Sequence, residues 1–450
     1  MLKSGAHAHL VGIGGVSMSP LAEVLHDAGI KITGSDQKES SVTQRLRTLG
    51  IPVAIGHFPE SVHGADMVIR TAAARDDNAE IAEARALGIP VFERADAWGN
   101  IMRDYANAVC VSGTHGKTTT TSMVTQILLA AEADPTVMIG GTLSTIGSGY
   151  RVGQGDTIVL ESCEHYDSFL HFFPTIAVVL NVDADHLDYF GSLDGVKKSF
   201  AAFANSVPDT GSIVCNADDE NTLDALQPLG RDLFTFGFAS HADIYAEDVK
   251  LTNRGSTFDI MYEERVYARV KLQVPGRHNV ANALAAAAVG VVLNLPSEAV
   301  EAGLETFTGT ERRFEFKGKL NGADIYDDYA HHPTELQSLL DTAMNLDYKR
   351  VILAFQPHTY SRTSMHLDAF AEQLRRPTKT YLAEIYAARE TNTYNISSAD
   401  LAAKIDGAMV CETFDILEAA LAAEAREGDL ILTVGAGELD TVAERLVQHT

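Results

Sequence analysis

Apolar positions along the chain follow two alternating rhythms. His9–Ile13 is a short apolar run punctuated and closed by Gly12, Gly14 and Gly15. Behind it Met18, Leu21, Ala22 and Leu25 recur at helical spacing, and the pattern stops at Gly29. Ile30–Gly34 reads as a second strand ending at Ser35 and Asp36. Val53–Ile55, Met67–Arg70 and Pro90–Phe92 read as further short strands with helices between them. Such alternation predicts a parallel sheet covered by helices.

A second strand–loop–helix unit begins at Ala108–Ser112, passes through GTHGKTTTT and enters a helix near Ser122–Ala131. Thr157–Leu160 and Ile176–Asn181 are apolar strands. Residues Ala242–Val274 alternate more finely with polar turns, which predicts an antiparallel insertion, and Asn279–Leu293 reads as a helix. After Arg312 and Arg313 a third α/β pattern places strands at Asp324–Asp328, Arg350–Phe355, Thr380–Ala383 and Asp429–Val434. The expectation is an α/β chain of three domains, 1–106, 107–310 and 311–450. Its length of 450 residues agrees with domains of roughly 100–200 residues.

Composition narrows the class. With 46% hydrophobic and 21% charged residues, the chain can build several cores and is not disordered. Its 35 basic and 61 acidic residues give a net charge of −26. That charge repels nucleic acid and acidic membrane surfaces, and no basic run offsets it. The longest apolar run, Ala283–Leu293, falls short of the roughly 20 residues that span a bilayer. No signal peptide stands out at the N-terminus. Cys110, Cys163, Cys215 and Cys411 are scattered without CxxC, as expected of reduced thiols in the cytoplasm.

The strongest chemical signal is Gly113-Thr114-His115-Gly116-Lys117-Thr118-Thr119. A glycine turn between strand and helix points backbone N–H groups inward at the positive end of the helix, which suits phosphate oxygens. Lys117 would lie along the β- and γ-phosphates, and the Thr118 hydroxyl would meet magnesium. Val111 stands where the common pattern has its first glycine, so the loop is a shortened variant.

Gly12-Ile13-Gly14-Gly15-Val16-Ser17 resembles a dinucleotide fingerprint with Ser17 in place of the last glycine. Asp36 sits where an acid accepts a ribose hydroxyl. By themselves these residues leave NAD, another nucleotide and a plain structural turn all open.

Glu161 and His186 each follow an apolar strand and would emerge beside the phosphate loop, at the carboxyl edge where α/β sheets bind ligands. Mg²⁺ takes carboxylates together with phosphate oxygens. Imidazole suits softer metals, so the residues alone favour a structural His186. In the third domain DDYAHHPTE and QPHTYSR, each after a strand, gather Tyr329, His331, His332, His358 and Arg362. Paired histidines without cysteine or HExxH spacing do not make a zinc site.

In this order the motifs resemble the Mur ligases over essentially the whole chain, and within them the branch that adds L-alanine to UDP-N-acetylmuramate. HLVGIGGVSMSPLAEVL with GSD is similar to that branch's UDP-binding domain, which implies UDP-sugar contacts at Gly12, Gly14, Gly15, Ser17, Asp36 and Thr71. SGTHGKTTTT resembles the family's ATP loop. The Glu161–His186 spacing fits its two magnesium ligands, with Thr118 beside them. GRHNVANALAA resembles its adenine segment, with His278, Asn279 and Asn282. Arg312-Arg313-Phe314, DDYAHHPTE and FQPHTYSR resemble the hinge and the amino-acid-binding domain. Arg313 joins the ATP set there, and Tyr329, His331, His358 and Arg362 the amino-acid set.

The chain also departs from the family. Thr71-Ala72-Ala73-Ala74 replaces SSAI, Thr359 stands where many relatives have arginine, and ESCEH replaces a more acidic stretch. Later-acting members carry a carbamylated lysine beyond the family histidine. The corresponding place here is near Phe200, so no such modification is expected.

The resemblance implies an ATP- and Mg²⁺-dependent ligase that activates the lactyl carboxylate as an acyl phosphate. Lys117, Glu161, His186, His332 and Arg362 form the implied catalytic set, in a monomer or homodimer. Three alternatives stay open: an NAD-dependent dehydrogenase, a recycling ligase that attaches a whole murein peptide, and a non-catalytic nucleotide-binding homologue.

Overall fold

The structure is a computed structural model and describes residues 5–448 except 16, 72, 253 and 389. Val16 and Ala72, which fall within two of the stretches quoted above, therefore lie outside the described residues. The chain forms two compact units, one of Met1–Glu247, Asp259–Arg269 and Ala281–Thr306, the other of Asp248–Phe258, Val270–Val280 and Phe307–Thr450.

The first sheet contains β1 (His7–Val11), β2 (Lys31–Asp36), β3 (Val53–Ile55), β4 (Met67–Arg70) and β5 (Val91–Glu93), in the order β3-β2-β1-β4-β5. Every pairing is parallel. The chain leaves β1 toward β2 and β3, then returns to the other side for β4 and β5. The Gly12–Gly15 turn therefore sits at the point where strand order reverses. The helix Met18–Asp27 buries Met18, Leu21, Ala22 and Leu25, the face expected from their spacing.

The second sheet holds β6 (Asn107–Ser112), β7 (Thr136–Leu143), β8 (Ser148–Arg151), β9 (Thr157–Glu161), β10 (Ile176–Val179), β11 (Ser212–Asn216), β12 (Leu233–Gly237), β13 (Ile244–Thr252), β14 (Gly255–Tyr262) and β15 (Arg265–Leu272). Their order is β15-β14-β13-β12-β11-β10-β6-β9-β7-β8. β6 lies between β10 and β9, parallel to both, at a second reversal of strand order. The segment 242–274 supplies β13–β15, which continue this sheet. Glu263 and Glu264 turn β14 into β15 with φ of 49° and 59°, as a two-residue hairpin turn requires.

One expectation is corrected here. The helix after the loop runs Lys117–Ala130 and starts five residues before Ser122. The β-branched Thr118–Thr121 run lowers helix propensity, but tertiary packing overrides it. All four threonines are buried, and the Thr121 hydroxyl bonds back to the Lys117 carbonyl at 2.8 Å.

The third sheet consists of β16 (Glu315–Leu320), β17 (Ala323–Asp328), β18 (Arg350–Phe355), β19 (Lys379–Ala383), β20 (Met409–Cys411) and β21 (Asp429–Val434), in the order β16-β17-β21-β18-β19-β20. Only β16 pairs antiparallel. The loops after β17 and β18 both leave the carboxyl edge, on either side of β21.

The cores are aromatic and aliphatic. Phe169 stacks on Phe203 with centroids 4.6 Å apart and meets Phe200 edge-on at 5.3 Å. Phe200 is fully buried, so the chain presents an apolar ring to its own core there. All four cysteines are free thiols. Among the described residues no helix is long and apolar enough to cross a membrane.

Candidate functional site

The loop after β6 is held from two sides. The Asn181 Oδ1 accepts the His115 N–H at 2.8 Å, its Nδ2 donates to the His115 carbonyl at 3.0 Å, and its own carbonyl accepts the Thr114 N–H at 3.1 Å. The Thr114 hydroxyl accepts the Asp183 N–H at 2.9 Å. Gly116 has φ +83°, and a Cβ there would lie 2.6 Å from Asn282 Oδ1. The turn thus needs glycine for both conformation and space, and Asn282 packs directly against it.

Lys117 opens the helix. Its Nζ donates to the carbonyls of Gly113 (2.6 Å) and Thr114 (3.0 Å) and to Glu164 Oε2 (2.9 Å). Burial works against this charge, but the Glu164 carboxylate, with Glu161 further off, outweighs it and raises the Lys117 pKa above the usual lysine value. Glu161, at the end of β9, accepts the Thr118 hydroxyl at 3.1 Å and the Gly140 N–H at 2.6 Å. The His186 Nε2 lies 4.0 Å from Glu164 Oε1, and its ring stacks on His165 at 4.0 Å.

The fold therefore brings Lys117, Thr118, Glu161 and His186 together, as expected, and adds Glu164. The sequence reading passed over Glu164 as part of a variant stretch. Its signal was an acid three residues beyond a strand-end acid. A hydroxyl and two carboxylates around a half-buried ammonium offer the hard oxygen donors that Mg²⁺ prefers, and the N–H-lined turn offers phosphate donors. The residues present fit a magnesium–nucleotide.

Backbone strain gathers at the same place. Tyr166, Asp167 and His186 have φ of 55°, 55° and 52°, in a region that non-glycine residues rarely visit. Asp167 holds this turn by accepting the Tyr189 hydroxyl at 2.7 Å and the Ser199 hydroxyl.

At the first sheet, Gly12 has φ +78°, and a Cβ there would lie 2.7 Å from Thr71 Cγ2. The Gly14 N–H is taken by Asp36 Oδ2 at 2.9 Å, so Asp36 shapes the turn directly. Gly15 donates to the Gly12 carbonyl at 3.1 Å. Arg94, first residue of the helix Arg94–Met102, hydrogen-bonds the Ser17 hydroxyl. A cation in a helix's first turn opposes the helix dipole, and burial depresses the Arg94 pKa. Both costs are relieved by a nearby anion. The sequence reading missed Arg94 because it lies 77 residues from Ser17.

In the second unit, the Arg362 Nη1 lies 3.1 Å from His358 Nδ1. The His358 ring stacks on Tyr386 at 5.7 Å and meets His331 at 5.6 Å, and His331 meets Tyr329 at 5.4 Å. Burial, then the neighbouring His331 and Arg362, push the His358 pKa down to about 4. Burial likewise lowers that of His331. Arg362 therefore carries a positive charge beside neutral histidine rings. Thr359 sits at φ +65° and caps the helix Tyr360–Met365 by accepting the Arg362 N–H at 3.4 Å.

His332 caps the helix Pro333–Met344 through Nδ1, which accepts the Thr334 N–H at 3.4 Å, while Glu335 returns to the His332 N–H at 3.3 Å. Arg312 and Arg313 lie over the Tyr329 ring at 5.1 and 5.3 Å. Arg312 is anchored by Asp327 (3.1 Å) and the Gly435 and Gly437 carbonyls. Asp328, pushed up to about 6 by burial, accepts the Phe314 and Ala330 N–H groups. The His278 Nδ1 lies 3.4 Å from Thr342 Oγ1, and Asn279 donates to the Pro275 carbonyl at 2.7 Å.

Three family models match the chain in succession. The Mur ligase family catalytic domain covers residues 7–106, the Mur ligase middle domain 111–290, and the Mur ligase glutamate ligase domain 312–437. Together with the three sheets they define a three-domain α/β ligase fold. The chain belongs to the Mur ligase family. It is 44% identical over 446 residues to the UDP-N-acetylmuramate–L-alanine ligase of Caldanaerobacter subterraneus subsp. tengcongensis, covering 98% of this chain and 97% of the relative. It is 43% identical over 448 residues to that of Agathobacter rectalis, covering 98% of each. Among solved structures, the UDP-N-acetylmuramate-alanine ligase of Thermotoga maritima matches with a TM-score of 0.81 and 30% identity, covering 98% of both chains. A murein peptide ligase from Psychrobacter arcticus shares the fold, with a TM-score of 0.71 at 24% identity over 99% of this chain and 98% of that one.

Proposed function

We propose that this chain joins L-alanine to the lactyl carboxylate of UDP-N-acetylmuramate at the expense of ATP, as a cytoplasmic monomer or homodimer. The observation that carries the proposal is the pairing of Lys117 with Glu164 and of the Thr118 hydroxyl with the strand-end carboxylate of Glu161, in a chain similar to the alanine ligases along almost its whole length. Residues 1–106 take the UDP-sugar through Gly12, Gly14, Gly15, Ser17, Asp36 and Thr71. Residues 107–310 take ATP through Gly113–Thr119, with His278, Asn279 and Asn282 at the base and Arg313 contributed by the third domain. Residues 311–450 take the amino acid through Tyr329, His331, His358 and Arg362.

Each residue has a chemical task. Bound magnesium neutralises phosphate charge, and Thr118, Glu161 and His186 would hold it. Glu164 lies beside them, 4.0 Å from the His186 Nε2. Lys117 moves from Glu164 toward the γ-phosphate and stabilises the charge there as the lactyl carboxylate oxygen attacks phosphorus and ADP leaves. The alanine nitrogen then attacks the acyl carbon, and phosphate departs with the electrons of the broken C–O bond. The amine proton passes to a base, for which His332 is the candidate. Arg362 holds the amino acid's carboxylate through its planar fork.

The test is phosphate release from ATP with UDP-N-acetylmuramate and, separately, L-alanine, glycine, L-serine and a cell-wall tripeptide. Release that needs both the sugar nucleotide and L-alanine supports the proposal. Release with glycine or serine instead would move the amino acid. Release with the tripeptide alone would identify a recycling ligase, and none at all a non-catalytic homologue.

A further inference from the structure

We propose that Glu80, acting through Ser35, is a positioning residue that sets the Gly12–Gly15 turn for the sugar nucleotide. This rests on the reading that the turn holds that substrate.

Glu80 lies in the first turn of the helix Ala79–Ala86 and is fully buried. A lone carboxylate in such a place is strongly disfavoured. Here it is caged. Its Oε2 accepts the Ser35 hydroxyl at 2.5 Å and lies 3.0 Å from His57 Nδ1. Its Oε1 accepts the Phe58 N–H at 3.3 Å and lies 3.6 Å from His9 Nε2. Burial alone would raise the Glu80 pKa, but contacts with His9, Ser35 and His57 outweigh it and lower the pKa. The cage extends outward through His9 Nδ1 and Thr33 Oγ1 (2.9 Å) to His7 Nε2 (2.9 Å).

Apolar residues of similar volume commonly stabilise a core as well as a buried ionic cluster does. Stability therefore gives little reason for this cage, and its far end gives a better one. Ser35 and Asp36 are the last two residues of β2. The Ser35 carbonyl accepts the N–H groups of Gly12 (2.8 Å) and Ile13 (2.9 Å), and Asp36 Oδ2 accepts that of Gly14. Three consecutive turn amides thus hang on this dipeptide, and the Ser35 side chain is fixed by Glu80 and His57. There is little slack, because a Cβ on Gly14 would lie 2.9 Å from Asp36 Oδ2. A binding turn displaced by an ångström loses much of its effect. Glu80 touches no substrate and works by fixing the peptide from which the turn is suspended.

Ser35→Ala, Glu80→Gln and the double variant test this by steady-state kinetics in each of the three substrates. Each single variant should raise the KM for UDP-N-acetylmuramate about tenfold, leaving the KM values for ATP and L-alanine, and kcat, within about threefold. The double variant should be no worse than the more damaging single, because the residues act in series. If the melting temperature falls while the sugar-nucleotide KM stays at the wild-type value, or if the single effects multiply, the inference is overturned. Ser35→Ala leaves Glu80 its His57 and Phe58 partners, so it reports even if Glu80→Gln does not fold. Gly14→Ala separates the two readings by titration calorimetry with UDP-N-acetylmuramate. Wild-type binding by Gly14→Ala would sink the substrate reading of the turn. Lost binding there, with unchanged KM in Ser35→Ala and Glu80→Gln, would sink only the role of Glu80.

Discussion

Lys117 Nζ lies 2.9 Å from Glu164 Oε2, and both side chains are largely withdrawn from solvent. The carboxylate holds the ammonium in place, and incoming phosphate must compete for it. Lys117→Ala should lower turnover by about 10²–10³-fold, as loss of a charge-stabilising donor does. It should also lower the melting temperature, because Glu164 is left buried without its cation. Adding Glu164→Gln should restore the melting temperature but not turnover. Normal activity in Lys117→Ala would refute the assignment of the loop.

Glu161 binds both the Thr118 hydroxyl and the Gly140 N–H. Its replacement by Gln keeps the shape and removes the charge. Activity titrated against Mg²⁺ should then need about tenfold more metal for half-saturation. An unchanged Mg²⁺ curve would place the metal elsewhere.

Arg362 carries its charge beside histidine rings that stay neutral. Arg362→Lys loses the planar fork and should raise the KM for L-alanine about tenfold or more, with the KM for ATP unchanged. His358 titrates near pH 4, so the alanine KM should show no His358 inflection between pH 6 and 8. A step near pH 6.5 would contradict the burial of that ring.

The same ring bears on acid stability. An unfolded histidine takes its proton near pH 6.5, whereas native His358 resists until about 4. Between those values the unfolded chain binds the extra proton, so stability is lost as pH falls through that window. His358→Gln should shrink the drop in melting temperature between pH 7.5 and 5. An equal drop in both proteins would assign it to other groups.

Arg94 should read out on the first substrate alone. Arg94→Ala is expected to raise the KM for the sugar nucleotide by about tenfold, since a half-buried cation's worth lies in the anion it meets. A change confined to the ATP KM would move Arg94 to the other site.

The sequence by itself determined the strands that carry the candidate site, the parallel pattern of the first sheet and the turns at those strand ends, while β7, β8, β11, β12, β16 and β20 were not read from it. Those features are local, since apolar period and glycine position are written in consecutive residues. Met18, Leu21, Ala22 and Leu25 lie where their spacing put them, and Lys117, Thr118 and Glu161 meet because each follows a neighbouring strand. Only the tertiary structure decided that the helix begins at Lys117, that Glu164 is the lysine's partner, that Arg94 reaches Ser17, and that Glu80 joins His9, Ser35 and His57. Each of those depends on groups brought together from 23 to 77 positions apart, or on burial overriding the weak helix preference of a threonine run. Burial and long-range pairing are properties of the packed chain, and no window of sequence contains them.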